Sequence, residues 1–168
     1  MYLNINKAYS SFDSNLAKEE KNDCFVRALA VASGSSYSDA HQMAKEKFGR
    51  EDKKGTNNLM IATQMLKMED EGLEIGGKKL KVSVLGKSRI KNRYKLKGEV
   101  IWRQKTLKSF IQSNPKGTYI VTVAKHALSV KDGEVLDWGS NKFLPTRKVQ
   151  AAYEVETVKE MSNQLTLF

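Results

Sequence analysis

A chain of 168 residues and 18.9 kDa is long enough for one hydrophobic core and short for two packed domains. With 40% hydrophobic residues and a single cysteine, the composition excludes wholesale disorder, a collagen-like fibre and a disulfide scaffold. The formal charge of +10 is confined, because residues 78–108 hold twelve Lys/Arg against the single acid Glu99 while the other residues sum to −1.

In chain order, residues 1–20 alternate weakly and are expected to form an arm or irregular lead-in. Asn22 and Asp23 are candidate N-caps for a helix from Cys24 to Ser33, apolar around most of its circumference and ended by Gly34. A second helix is predicted after Ser36, with its stripe at Tyr37, Ala40, Ala44 and Phe48 before Gly49. Arg50 to Gly55 reads as a loop. Thr56 or Asn57 caps a third helix through Leu59, Ile61, Ala62, Met65 and Leu66, fraying in the acidic run Glu69, Asp70, Glu71. After Gly72, Gly76 and Gly77 the period shifts to two, with Leu80, Val82 and Val84 on a half-buried strand. The basic stretch follows and ends in a short helix, Leu107 to Gln112, stopped by Asn114-Pro115. Thr118–Val123, Ala127–Val130, Val135–Trp138 and Val149–Val155 read as strands, the middle pair joined by the two-residue turn Asp132-Gly133. Helices first and a largely antiparallel sheet second is an α+β pattern, a body over residues 21–157 with a tail over 158–168.

Cys24 in the first turn of a helix lies where unpaired amides and the helix dipole favour a thiolate; a small buried hydrophobe is the alternative. The hairpin supplies partners. With Asp132-Gly133 as turn residues, Lys131 faces Glu134, Leu128 faces Asp137 and His126 faces Gly139, so His126 and Asp137 are diagonal neighbours on one face. His41 reads as an ordinary surface or boundary residue. Two histidines and one cysteine suggest no metal cluster, and no cofactor is expected.

A cysteine heading a buried helix, followed by a histidine and an acid on adjacent strands, resembles the papain-like thiol hydrolase superfamily. The segment Asn22-Asp23-Cys24-Phe25-Val26-Arg27-Ala28-Leu29 is similar to the cysteine box of ovarian-tumour-type deubiquitinases, and the chain also looks like small phage and bacterial proteins with an Asp-Cys opening and a His-Ala-Leu strand. The resemblance implies a papain-like α+β fold with Cys24 as nucleophile, His126 as general base and then acid, and Asp137 as its orienting group, with Asn141 in reserve. The implied chemistry is acyl transfer at an amide or thioester. The sequence departs from the family pattern at Lys21, where an aspartate is usual, and Lys18 and Glu19 stand where a glutamine often supports the oxyanion. The Cys24 amide with Asn22 as second donor is the substitute.

Two further features point to partners. Gln164-Leu165-Thr166-Leu167-Phe168 resembles the peptide by which bacterial replication and repair proteins bind the sliding clamp, with Gln164, Leu165, Leu167 and Phe168 at the defining positions. In the basic segment, Lys87, Arg89, Lys91, Arg93, Lys95, Lys97 and Arg103 surround Tyr94 and Trp102, a composition suited to DNA or RNA; lysine-rich strands that keep a sheet edge soluble are the alternative. No apolar run is long enough to span a membrane, so a cytoplasmic protein is expected, in the host cytoplasm if phage-encoded. Besides a clamp-directed thiol hydrolase, the sequence admits a catalytically silent clamp or nucleic-acid binder and a virion-associated structural protein.

Overall fold

Asn22 adopts a left-handed backbone (φ 53°), which asparagine tolerates, and the chain turns directly into α1, Cys24–Ser33. The computed structural model describes residues 5–6, 20, 22–137 and 144–158. Phe25, Val26, Ala28, Leu29 and Ala30 of α1 are all buried, as a helix that is apolar on most sides requires. α2, Tyr37–Phe48, opens on Ser36, whose hydroxyl accepts the Asp39 amide. α3, Asn58–Glu71, opens on Asn57, whose side chain accepts the Leu59 amide at 2.7 Å.

The acidic run at the end of α3 does not fray. Glu69 accepts the Val84 amide at 2.6 Å and ties the last turn to a strand, so the helix continues to Glu71. The segment of Gly72, Gly76 and Gly77 is likewise more ordered than the sequence suggests, because Leu73–Ile75 forms a three-residue strand too short to show a period.

Among the described residues, seven strands form one sheet: β1 (Ile5–Asn6), β2 (Leu73–Ile75), β3 (Lys78–Val84), β6 (Thr118–Val123), β7 (His126–Lys131), β8 (Glu134–Leu136) and β9 (Ala151–Thr157), in the spatial order β1-β8-β7-β6-β9-β3-β2. All neighbours are antiparallel except β1 and β8, so the sheet is mostly antiparallel and the fold is a mixed α+β one. The pairing of Ile5 with Val135 places an edge strand inside the expected irregular lead-in. Between β3 and β6 the chain leaves the sheet for α4 (Lys87–Ile90), a separate two-stranded sheet of β4 (Lys91–Leu96) and β5 (Glu99–Gln104), and α5 (Leu107–Ser113). The helix at Leu107 is where the sequence predicts it, and the basic residues before it lie on strands, which the sequence offers only as the alternative to a nucleic-acid-binding segment.

Cores lie on both faces of the sheet. Phe25, Leu29, Phe48, Ile61, Met65, Leu80, Ile120 and Tyr153 belong to one, under α1 to α3. Leu107, Phe110, Tyr119, Val121, Leu128, Val130 and Val135 belong to the other, under α5. Because both faces are covered, Tyr119–Val123 and Ala127–Val130 are buried at every position and are apolar except at Thr122 and Ser129, with no polar alternation. Among the described residues, no helix is long and apolar enough to cross a membrane.

Candidate active site

Cys24 is the first residue of α1 and is half-buried, in no disulfide. The residue before it does not cap the helix as the sequence suggests. Asp23 makes no side-chain capping bond; its Oδ2 accepts instead from the Tyr37 hydroxyl at 2.6 Å and from Arg27 Nε at 2.9 Å. Two charged or polar donors outcompete a backbone amide for the same oxygen, and the helix mouth at Cys24 is left without a side-chain cap. Burial first, and then the bond to anionic Asp23, push the Tyr37 hydroxyl well above its usual range, so it stays a donor to Asp23.

His126 opens β7 after the two-residue turn Ala124-Lys125, in which Lys125 takes a left-handed φ of 58°. That turn is held from several directions. Arg147 donates to the Ala124 carbonyl, and Asn58 Nδ2 donates to Gln150 Oε1 at 2.9 Å and reaches the Val123 carbonyl at 3.5 Å. Across β7 and β8, Lys131 pairs with Glu134, Val130 with Val135 and Ser129 with Leu136, the register that Asp132-Gly133 implies, with φ of 47° and 81° at the two turn residues. Asp137 follows β8, is 1% exposed, and lies with Oδ2 2.9 Å from His126 Nε2.

A buried hydrogen bond joins the two elements that carry the sulfur and the imidazole. Ser129 Oγ, three residues after His126, donates to the Ala28 carbonyl, four residues after Cys24, at 2.7 Å. Cys24 and His126 line one pocket, and the Cys24 side chain acts to raise the proton affinity of the ring. With Nε2 facing Asp137, Nδ1 is the nitrogen left for the sulfur. Desolvation of the ring lowers its proton affinity, but the hydrogen bond to Asp137 and the electrostatic influence of Asp137 and Cys24 outweigh it, and His126 is pushed up to about 9. The imidazole therefore carries a proton near neutral pH.

A pocket of about 430 Å³ opens over this pair, lined among others by Asn22, Gly55, Thr56, Ile61 and Lys125. The buried Thr56 Oγ1 has no hydrogen-bond partner among the described residues. Asn22 Nδ2 donates to the Lys53 carbonyl at 3.2 Å, which uses one of its two amide hydrogens and leaves the other for the pocket. Sequence reasoning did not find the wall formed by Gly55, Thr56 and Lys125, because no local pattern links residues 55 and 125.

The loop carrying Gly55 and Thr56 is anchored by Glu20, whose carboxylate accepts from Arg50 NH2 at 2.5 Å and from the Lys53 amide at 3.1 Å and lies 3.3 Å from His41 Nε2. Burial acts to raise the Glu20 carboxyl, but Arg50, the Lys53 amide and His41 together hold it below its usual range. His41 is accordingly 7% exposed, buried and not the surface or boundary residue the sequence suggests. Glu20, His41 and Asp52 bring one potential metal-ligand atom each within 4.8 Å of one another. Arg50 on Glu20 and Lys45 on Asp52 already neutralise both carboxylates, so the cluster is an ion-pair anchor for the loop.

The basic residues divide by role. Arg89 donates to Asn114 Oδ1 at 2.8 Å and to the Tyr119 hydroxyl at 3.3 Å, which fixes α4 to the body. Lys105 is 7% exposed and donates to Ser113. Lys91, Arg93, Tyr94, Lys95, Lys97, Trp102 and Arg103 lie on the β4–β5 hairpin, and Lys87 Nζ lies 4.6 Å from the centre of the Trp102 ring. Trp138, Gly139, Asn141 and the terminal Gln164, Leu165, Leu167 and Phe168 lie outside the described residues. No family model, curated protein or solved structure matches the chain.

Proposed function

We propose that the chain is a thiol-dependent hydrolase or acyl transferase of papain-like type, acting on an amide or thioester and brought to replication machinery by its C-terminal clamp-binding peptide. The observation that carries the chemistry is the relay from the Cys24 sulfur through the His126 ring to buried Asp137. Cys24, as thiolate, attacks the substrate carbonyl carbon and forms a C–S bond. The protonated His126 gives its proton to the leaving nitrogen or sulfur as that bond to carbon breaks, leaving a thioester on Cys24. Water then attacks the thioester carbon while His126 takes its proton, the C–S bond breaks, and the carboxylate product leaves; an amine in place of water completes a transfer. Asp137 holds the ring in one orientation throughout, and the uncapped amides at the mouth of α1 with the Asn22 side chain are the donors nearest a developing oxyanion.

Alkylation by iodoacetamide, followed by intact mass, tests the relay. Cys24 is expected to label at pH 7 and His126→Ala to slow labelling about tenfold or more, since the neighbouring imidazolium sustains the reactive form. A thiol inert in the native chain, or one equally reactive without His126, overturns the proposal.

A further inference from the structure

The hairpin of β4 and β5 projects from the body as its own two-stranded sheet, and its register sorts its side chains. Lys91 pairs with Gln104, Arg93 with Trp102 and Lys95 with Val100, so these six share one face. On that face β4 contributes cations alone, while β5 contributes an amide, an indole and an aliphatic group. Asn92, Tyr94 and Leu96 share the opposite face with Arg103, Ile101 and Glu99. Tyr94 and Trp102, grouped together by sequence, therefore cannot serve one ligand lying on one face.

We infer that the first face binds single-stranded nucleic acid, its phosphates over the cationic lane of β4 and its bases over the neutral lane of β5. Alternate residues on a strand recur every ~6.8 Å, and the neighbouring lane lies ~4.8 Å to the side. Lys91, Arg93 and Lys95 thus form a row of positive charge whose step approaches the phosphate repeat of an extended strand. Beside that row, Trp102 offers a stacking surface, Val100 is 42% exposed and Gln104 offers hydrogen bonds to a base edge. Lys87 covers one face of the Trp102 ring and adds a fourth cation beside it, so a base would stack on the other face. A duplex, whose bases are already stacked, would use the cationic lane and leave the neutral one unfilled. Arg89 and Lys105 take no part, being bonded within the fold.

Fluorescence anisotropy of the full chain with labelled oligodeoxythymidylate, oligouridylate and a duplex of equal length tests this. Either single strand is expected to bind more tightly than the duplex, and the two oligonucleotides separate DNA from RNA as the source of the ligand. Three or four phosphate contacts give a log–log salt slope of about −2 to −3. Arg93→Ala with Lys95→Ala should weaken binding about tenfold and flatten the slope by about 1.4. Trp102→Leu should weaken it about fivefold or more with the slope unchanged. The exposed pair Lys47→Ala with Lys67→Ala, equal in charge but on α2 and α3 over the other face of the large sheet, should change little. Duplex preference, equal losses from the two double variants, or binding to phosphatidylserine vesicles without binding to the oligonucleotides overturns the inference, and none of these bears on Cys24.

Discussion

His126 shows how three neighbours decide the behaviour of one side chain. It is 22% exposed, and burial alone would strip its proton, yet Asp137 and the Cys24 sulfur raise it to about 9. A ring that binds a proton more tightly folded than unfolded contributes stability in full below its ordinary value near 6.5 and loses it as pH rises toward 9. Unfolding in urea should therefore show stability declining across that window in the native sequence, and Asp137→Asn should flatten the decline. A parallel pH profile in the variant would mean that the carboxylate does not hold the charged ring. His126 and Asp137 were legible as neighbours because the Asp132-Gly133 turn sets the parity of the strands. The burial of His41 was not, since its partner Glu20 lies 21 residues earlier and meets it only after the chain folds back.

The pairing of α1 with β7 is the joint that brings Cys24 and the His126 imidazole together. Ser129 and the Ala28 carbonyl are both buried, so removing the hydroxyl takes from that carbonyl the donor it has beyond its own helix, and nearby water cannot easily replace it. Ser129→Ala should cost about 1–2 kcal/mol in urea unfolding with an unchanged m-value. A variant as stable as the native chain would place the joint elsewhere. α1, α2, α3 and α5 were legible from local signals, periodicity above all and, for α2 and α3, the caps at Ser36 and Asn57, whereas the single turn of α4 shows no such period. β4 and β5 were not, because a hairpin with neither face buried has no apolar alternation to display, and its alternating charges resemble a solvated coil.

Across the whole molecule, the sheet is covered on both sides, by α1 to α3 and by α5, and the pocket over Cys24 and His126 opens where α1, α3 and the β6–β7 turn meet. The terminal peptide adds a prediction that does not depend on that pocket. Deleting residues 164–168 should end co-elution with a bacterial sliding clamp while leaving Cys24 alkylation unchanged, and retained binding would refute the peptide's role. Cys24 at a helix start, the three helices, the His126–Asp137 register and the confinement of charge to residues 78–108 follow from the sequence by itself, because each depends on neighbours a few residues away or on one short turn. The tertiary structure alone decided that Asp23 serves Tyr37 and Arg27 instead of the helix, that Arg89 and Lys105 are structural cations, and that Trp102 and Tyr94 face apart. Those outcomes depend on which oxygen or which face is reached first by groups distant along the chain, a competition that only packing resolves.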